Sequence, residues 1–228
     1  MLSGCIDLFD TAFLDSSSLP GVAKRLRART DRGTLVFSIF KRSFDLIVAA
    51  LLLPVIGLVA LLLLILNPLY NPGTLFYVQK RMGRSCNPFP AIKFRSMREI
   101  DTIQRNANDS LERDRITPLG GFMRKTRIDE LPQVLNVLKG DMSLIGPRPD
   151  YYDHAIHFLS EIPGYRERHV VRPGISGLAQ TEVGYAVGVE ATRRKVAADL
   201  YYISHSSVQL ELWIAWRTLS VVVRGAGA

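Results

Sequence analysis

The sequence predicts a mainly α-helical protein with one small β-hairpin and a single membrane helix attached to the domain that follows it. Three observations support this class: one long apolar segment at 46–66, an alternating pattern within 74–98, and helical periodicity over about 129–139, 150–160, 189–203 and 207–223. Roughly 160 residues follow the apolar segment, which is enough chain for one hydrophobic core. We therefore divide the chain into a basic leader at 1–40, a membrane segment at 41–67 and one domain at 68–228.

The apolar segment Leu46–Leu66 contains no charged or amide side chain. As a helix it would be about 31 Å long, which matches a hydrocarbon core of about 30 Å. The segment lies too far from the N-terminus to be a cleaved signal peptide. We expect it to lie in the membrane.

Whether this segment crosses the membrane depends on the Lys and Arg residues on its two sides. Both sides are basic: Lys24, Arg25, Arg27, Arg29, Arg32, Lys41 and Arg42 precede it, and Lys80, Arg81, Arg84, Lys93, Arg95 and Arg98 follow it. A hairpin that enters and leaves on one side would keep both groups in the cytoplasm. Pro54 offers a bend near the middle, and Gly57 weakens the same turn. A kinked helix that crosses once remains the alternative.

The composition favours a protein that works on anionic ligands at a membrane surface. The net charge is +8, from 29 Lys and Arg against 21 acidic residues. No nucleic-acid-binding signature combines these basic residues with aromatic ones, so we expect no nucleic acid partner. Cys5 and Cys86 are too few for a disulfide framework and have no zinc-ligand spacing.

The elements after the membrane segment follow from local patterns. Residues 74–98 predict a hairpin, with strands at 75–78 and 91–95 and turn residues Gly83 and Asn87-Pro88. The densely charged stretch 99–115 predicts a solvated helix or a mobile loop. In the helix at about 129–139, Leu131, Val134, Leu135 and Leu138 form the apolar stripe, Gln133 and Asn136 are expected to face away, and Gly140 ends the helix.

Asp129 and Glu130 open this predicted helix and allow two interpretations. Thr126 precedes Asp129 by three residues, which is the spacing of a capping box, so Asp129 could serve only to satisfy backbone donors. Alternatively, the helix N-terminus keeps Asp129 ionised next to a bound phosphate, where its carboxylate acts as a nucleophile. Glu130 points about 100° away around the helix axis and could hold a metal.

Two stiff loops follow. In Gly146-Pro147-Arg148-Pro149 the prolines fix the backbone, so Arg148 would lose little entropy on gripping a phosphate; a plain connecting loop is the alternative. Around Arg172-Pro173-Gly174 the glycines would let the backbone approach a ligand.

Together these motifs resemble the bacterial sugar transferase family, the monotopic phosphoglycosyl transferases. The resemblance covers Lys41 to about Arg224 and rests on six ordered motifs: Lys41-Arg-Ser-Phe-Asp45, Lys93-Phe-Arg95-Ser-Met97, Asp129-Glu130-Leu-Pro-Gln133, Asn136-Val-Leu-Lys-Gly140-Asp141-Met-Ser143, Gly146-Pro147-Arg148-Pro149 and Arg172-Pro-Gly174.

The resemblance implies a two-step reaction on a UDP-sugar. Asp129 would attack the β-phosphate, expel UMP and carry the phosphosugar, which polyprenyl phosphate then accepts to give a polyprenyl diphosphate sugar. Glu130 would help to bind Mg²⁺. Arg124 would contact phosphate, and the loop of Pro147, Arg148 and Pro149 would face the nucleotide, with Lys93, Arg95 and Arg172 as further substrate-binding residues.

The resemblance also implies a re-entrant helix, in a helix-break-helix form with its break at Pro54, and a cytosolic catalytic domain at the membrane interface. The location would be the cytoplasmic face of the bacterial inner membrane, with membrane lipid as a partner and a homodimer as one expectation. The family often has Ser before this proline, whereas here it is Leu53, so we expect a shallower bend. Two other classes stay open on the residues alone: a non-catalytic scaffold that binds anionic lipid, and a metal-dependent phosphohydrolase.

Overall fold

A computed structural model describes residues 33–98, 112–182 and 188–224. Most of the predicted leader and most of the stretch 99–115 therefore lie outside the described residues. The elements in chain order are α1 (Gly33–Tyr70), β1 (Phe76–Met82), β2 (Pro88–Phe94), α2 (Pro118–Lys125), α3 (Gln133–Lys139), β3 (Ser143–Ile145), α4 (Tyr152–Glu161), β4 (Gly174–Ser176), α5 (Leu178–Glu182), α6 (Val189–His205) and α7 (Val208–Val223). The mainly helical class with a small hairpin is confirmed.

The apolar segment belongs to α1, which is long and apolar enough over Leu35–Tyr70 to cross a membrane. Its 38 residues would extend about 57 Å if the helix were straight. The helix contains Pro54 and does not end there. The predicted break is therefore not an unwound segment, and a re-entrant bend can only be a kink within α1.

One stripe of α1 packs against the domain. Ala49, Ile56 and Leu63 recur every seven residues and are buried in a core that also contains Val134 and Val137 of α3. Most of the other apolar side chains of α1 are exposed, and Leu51, for example, retains 70% of its accessible surface. An apolar helix face left uncovered by protein is what a lipid-facing surface requires.

The predicted hairpin is confirmed, with strands that extend closer to the turn than expected. β1 and β2 are antiparallel, with Tyr77 opposite Lys93 and Met82 opposite Pro88. The turn is closed by a hydrogen bond of 2.7 Å from Gly83 N to Asn87 O. The additional pairs around this turn bring β1 to the chain near α4, where Arg81 forms an isolated bridge with Tyr151.

A second small sheet, formed by the parallel strands β3 and β4, was not predicted. Each strand has three residues, too few for a period-2 pattern to be recognised. A Cβ atom at Gly174 would lie 2.1 Å from Gly146 N. These glycines therefore allow two backbones to meet, rather than a backbone and a ligand as expected.

The later helices lie where the periodicity predicts them, within two residues at most ends, whereas the short helices α2 and α5 were missed. The predicted orientation of α3 is wrong in part, because Gln133 and Asn136 are 2% and 0% exposed. Asn136 Oδ1 accepts from Ile92 N at 3.0 Å and its Nδ2 donates to Pro90 O at 2.8 Å. An amide that pairs with an otherwise unpaired strand edge can be buried at little cost.

Candidate active site

Asp129 and Glu130 lie in a single 3-10 turn, Ile128–Glu130, that precedes α3. The predicted helix therefore begins later, at Gln133 after Pro132. Arg127 enters the turn with a left-handed backbone, at φ 59°. This conformation costs a non-glycine residue about 1–2 kcal/mol, and such residues recur at functional sites.

The capping-box interpretation of Asp129 is wrong. The Thr126 hydroxyl donates to Phe122 O at 2.9 Å and Met123 O at 3.2 Å, so it closes the C-terminal end of α2. Asp129 Oδ1 is buried and has no hydrogen-bond partner within the described residues. A buried oxygen without a partner costs free energy, so Asp129 Oδ1 does not stabilise the turn by hydrogen bonding to it.

Glu130 is surrounded by cations. Its carboxylate accepts from Lys93 Nζ at 2.7 Å and from both terminal nitrogens of Arg148, one of them at 2.9 Å, and Arg127 lies 3.6 Å away. Burial by itself would raise the pKa of Glu130, but Arg148 and Lys93 outweigh this effect and hold the pKa well below its ordinary value. Glu130 is therefore ionised throughout the physiological range.

Asp129 behaves in the opposite way. Burial, and next the charge of Glu130, raise the pKa of Asp129 to about 6, although Lys93, Arg124 and Arg148 act against the shift. Two neighbouring carboxylates thus acquire different roles, because one receives the hydrogen bonds and the other does not. At neutral pH Asp129 is mostly ionised and more basic than an ordinary aspartate.

Lys93 and Arg124 flank the carboxylates from two other elements. Lys93 reaches Glu130 from β2, and burial lowers its pKa to about 8 in spite of that contact. Arg124, at the end of α2, donates to Met97 Sδ at 3.9 Å, its one hydrogen bond among the described residues. No ion pair occupies Arg124 in the described residues, so its guanidinium is free for an anion.

The Pro147-Arg148-Pro149 turn is held rigidly at four consecutive carbonyl oxygens. Gly174 N donates to Pro147 O at 3.0 Å, and Met82 N to Asp150 O at 3.1 Å. Arg168 donates to Arg148 O, and Arg81 to Pro149 O, each at 2.7 Å. Because the backbone cannot shift, the Arg148 side chain is fixed in front of Glu130. Pro147 and Pro149 are themselves buried and shape the turn.

Behind the turn lies a second group of charges, which we call the rear cluster: Asp150, Arg168, Lys195 and Asp199. Arg168 is fully buried and donates to Asp150 and Asp199 at 2.8 Å each, and Lys195 also pairs with Asp150. Burial would raise the pKa of Asp150, but Lys195 and Arg168 lower it far below its usual value. Sequence reasoning missed this cluster, because its members lie up to 49 residues apart with no shared motif.

Two predicted substrate-binding residues have other partners. The Arg95 guanidinium donates to the carbonyls of Asn71, Pro72 and Thr74 at 2.6–2.7 Å, and the residue is 4% exposed. Arg95 therefore fixes the chain that leaves α1. Arg172 Nε donates to Gly140 O at 2.9 Å, at the C-terminal end of α3 where Arg42 also binds, and so it is not brought to the carboxylates.

The predicted Mg²⁺ stays a prediction, and the two carboxylates differ in how well they could hold it. No group of three or more His, Cys, Asp or Glu that could hold a metal occurs in the described residues. Mg²⁺ commonly uses one or two carboxylates together with substrate phosphates, and the unpaired oxygen of Asp129 fits that use. Glu130 fits less well, because both of its oxygens already accept from cations.

Further polar residues of the site come from β1. Tyr77, Gln79 and Arg81 alternate with exposed residues and share the face of Lys93, the residue opposite Tyr77. The alternation of the predicted hairpin could have revealed this set, since Lys93 was already a candidate.

Comparison with known proteins finds one matching family model, described as bacterial sugar transferase, over residues 36–225. A UDP-N-acetylgalactosamine-undecaprenyl-phosphate N-acetylgalactosaminephosphotransferase of Aeromonas hydrophila is 42% identical over 194 residues, or 85% of this chain and 46% of the relative. A UDP-glucose:undecaprenyl-phosphate glucose-1-phosphate transferase of Caulobacter vibrioides is 40% identical, covering 81% of this chain and 67% of the relative. The exopolysaccharide production protein PSS of Rhizobium leguminosarum bv. phaseoli is 36% identical, and the match covers 83% of this chain and 98% of the relative. The chain thus spans about half of the first relative and almost all of the third.

Proposed function

Because this chain belongs to the bacterial sugar transferase family, we propose that it transfers a phosphosugar from a UDP-sugar to polyprenyl phosphate. The observation that carries the proposal is the contrast within the carboxylate pair, in which Glu130 is paired with cations and Asp129 has a buried oxygen without a partner. Relatives named as undecaprenyl-phosphate sugar phosphotransferases support both the sugar donor and the lipid acceptor.

In the first step an oxygen of Asp129 attacks the β-phosphorus of the UDP-sugar. The bond from this phosphorus to the bridging oxygen breaks, and UMP leaves with the bonding electrons. A polyprenyl phosphate oxygen then attacks the same phosphorus, which releases the carboxylate of Asp129 and yields the polyprenyl diphosphate sugar. A pKa near 6 suits this role, since the group is ionised at neutral pH yet remains a better nucleophile than a typical carboxylate.

The cations around the pair stabilise the charge that the transferring phosphoryl group carries. Arg148 is held in place by its turn, Lys93 by Glu130, and Arg124 has no competing ion pair in the described residues. Mg²⁺ remains part of the proposal, with Glu130 and Asp129 as the carboxylates that would hold it. Glu130 would have to exchange a contact with Lys93 or Arg148 for the ion. When bound with the diphosphate, the ion would neutralise charge that otherwise repels the nucleophile.

We also propose that α1 is re-entrant and keeps the domain on the cytoplasmic face of the inner membrane. Arg42 donates to Val137 O at 2.8 Å, and Asn71 Nδ2 to Arg95 O at 2.7 Å. Val137 follows Asn136, which is hydrogen-bonded to Ile92, three residues before Arg95. In a straight helix, residues 42 and 71 would lie about 43 Å apart. The contacts just described join these two residues through Val137, Asn136, Ile92 and Arg95, and this path would have to be fully extended in one direction to span that distance. A bend in α1 removes this conflict.

The reaction is tested by incubating the full chain with undecaprenyl phosphate and a panel of UDP-sugars. UMP and a lipid-linked diphosphate sugar should form together, with one sugar preferred. A radiolabelled phosphosugar should remain on the protein when lipid is omitted. Release of UMP or sugar phosphate to water, with no lipid product, would instead indicate a phosphohydrolase. Absence of any turnover would leave the lipid-binding scaffold.

Topology is tested by single cysteines at Ser38 and Val78 after replacement of Cys5 and Cys86. Both should label from the cytoplasm only. Labelling from opposite sides would mean that α1 crosses the membrane.

The role of Pro54 is tested by replacing it with Leu. This change removes a ring clash and restores a backbone donor, which favours a straight helix by about 3 kcal/mol. A straighter α1 should misplace Asp129 relative to the lipid phosphate, so the yield of lipid product should fall. An unchanged rate would exclude Pro54 as the origin of the bend. The expected homodimer stays a prediction.

A further inference from the structure

A strip of β1 side chains runs alongside the carboxylate pair and the Pro147-Arg148-Pro149 turn. At one end, Tyr77 is opposite Lys93, whose Nζ bonds Glu130 at 2.7 Å. At the other end, Arg81 donates to Pro149 O at 2.7 Å. Gln79 lies between them on the same face. The strip therefore connects the reacting groups to the turn that presents Arg148.

Gln79 has a hydrogen-bond donor to spare. Its Oε1 accepts from Arg81 Nε at 3.0 Å and from a terminal nitrogen of Arg81 at 2.6 Å. Because a guanidinium only donates, this contact fixes which end of the amide is oxygen. No described residue accepts from Gln79 Nε2, and the side chain is only half-buried. Its N–H groups are thus available to a ligand.

Tyr77 offers an aromatic surface next to this donor. The ring is half-buried and takes no part in the ring contacts found among the described residues. Its phenol is close to Tyr151, whose pKa is raised by a hydrogen bond to Asp153, by partial burial and also by Tyr77. An aromatic side chain with an uncovered face is the usual platform for a nucleobase.

We propose that Tyr77 and Gln79 form the nucleobase subsite, in which Tyr77 stacks on uracil and the Gln79 amide donates to uracil O4. The inference rests on the proposed use of UDP-sugars. Tyr77 and Gln79 are two residues apart on one face of the same strand, about 7 Å, so one base can contact both side chains. Cytosine presents an amino donor where uracil presents O4, so the same amide rejects it.

The test is a single substitution that separates the two functions of Gln79. Gln79→Glu keeps an acceptor for Arg81 but loses the donor. UMP and CMP binding to the full chain in nanodiscs is measured by calorimetry. The wild type should prefer UMP, and Gln79→Glu should reduce the ratio of UMP to CMP affinity at least about tenfold. The ratio is the informative quantity, because an added carboxylate repels both nucleotides.

Two further variants complete the experiment. Tyr77→Ala should weaken UMP and CMP alike, by about tenfold or more, since stacking does not distinguish bases. Val78→Thr, on the opposite and exposed face of β1, should leave both affinities unchanged. An unaltered ratio in Gln79→Glu would overturn the inference and leave Gln79 as a support for Arg81, with the transferase function intact. A wild type that binds neither nucleotide and releases no UMP would remove the proposed function as well.

Discussion

The two charge clusters on either side of the Pro147-Arg148-Pro149 turn have similar composition and opposite character. The front cluster, Lys93, Asp129, Glu130 and Arg148, and the rear cluster each contain two carboxylates and two cations. In the rear cluster Asp150 accepts from Arg168, Lys195 and the Tyr165 hydroxyl. In the front cluster all cations turn to Glu130, and Asp129 Oδ1 is left without a partner.

The difference suits the two clusters to different roles: the rear cluster stabilises the turn, and the front cluster presents a carboxylate that can react. In the rear cluster both carboxylates accept from Arg168, and this buried charge network fixes the backbone. Against the effect of burial, Lys195 and Arg168 lower the pKa of Asp150, whereas burial raises the pKa of Asp199 in spite of its contact with Arg168. In the front cluster one carboxylate is left out of the pairing, and burial raises its pKa and leaves an oxygen free to react. Arg168 of the rear cluster donates to Arg148 O and so fixes the turn. The position of the Arg148 side chain in the front cluster therefore depends on the rear cluster.

The largest effect should come from Asp129→Asn. An amide conserves the volume but is a poor nucleophile, so turnover should fall at least about 10³-fold with the fold retained. UMP release and circular dichroism measure the two properties. Substantial activity in this variant would refute covalent catalysis by Asp129. Asp114→Asn, an exposed site outside both clusters, serves as the control and should keep normal turnover.

A second prediction breaks the rear cluster. Arg168→Met leaves Asp150 and Asp199 buried without their shared partner, and should reduce the free energy of unfolding by about 3–5 kcal/mol. Arg217→Met removes an ion pair whose arginine is 48% exposed, and should cost less than about 1 kcal/mol. Thermal or denaturant unfolding in detergent compares them. Equal losses would mean that the rear cluster does not stabilise the turn.

A third prediction concerns the sign of the stability change at the two aspartates. The pKa of folded Asp129 lies above its unfolded value, so wild-type stability falls as pH rises from about 4 to about 6 and stays lower above that. Asp129→Asn should therefore raise stability at pH 8 by about 1–3 kcal/mol. Asp150→Asn should lower it, because the pKa of Asp150 is depressed in the folded state. Unfolding at pH 8 and pH 4.5 should show a larger Asp129→Asn gain at the higher pH.

The smallest effect is the pH dependence of the first half-reaction. Because Asp129 must be ionised to attack, the rate of UMP release without lipid should fall about tenfold per unit below pH 6 and level off above it. Omitting the lipid avoids titration of its phosphate. A midpoint near pH 4 would mean that Asp129 is an ordinary carboxylate in the functional protein.

The mainly helical class, the hairpin, the position of the apolar helix and the carboxylate pair with Arg124 and Arg148 nearby could all be predicted from the sequence. These features depend on local periodicity and on stiff or charged residues within a few positions of each other. The helices α4, α6 and α7 are clear because each buries one continuous face. The resemblance to the family rests on the same short motifs.

Which charged side chains contact each other could not be predicted without the fold. Arg95 and Arg148 were both predicted to bind substrate. In the fold, Arg95 donates to backbone carbonyls of the chain that leaves α1, whereas Arg148 donates to Glu130. Asn136 is polar and was expected outside, but the edge of β2 needs its amide. A side chain's role depends on partners that are distant in sequence, because burial makes each unpaired polar group costly and so selects a specific pairing. Asp129 Oδ1 is buried without a hydrogen-bond partner, and no local sequence pattern predicts this.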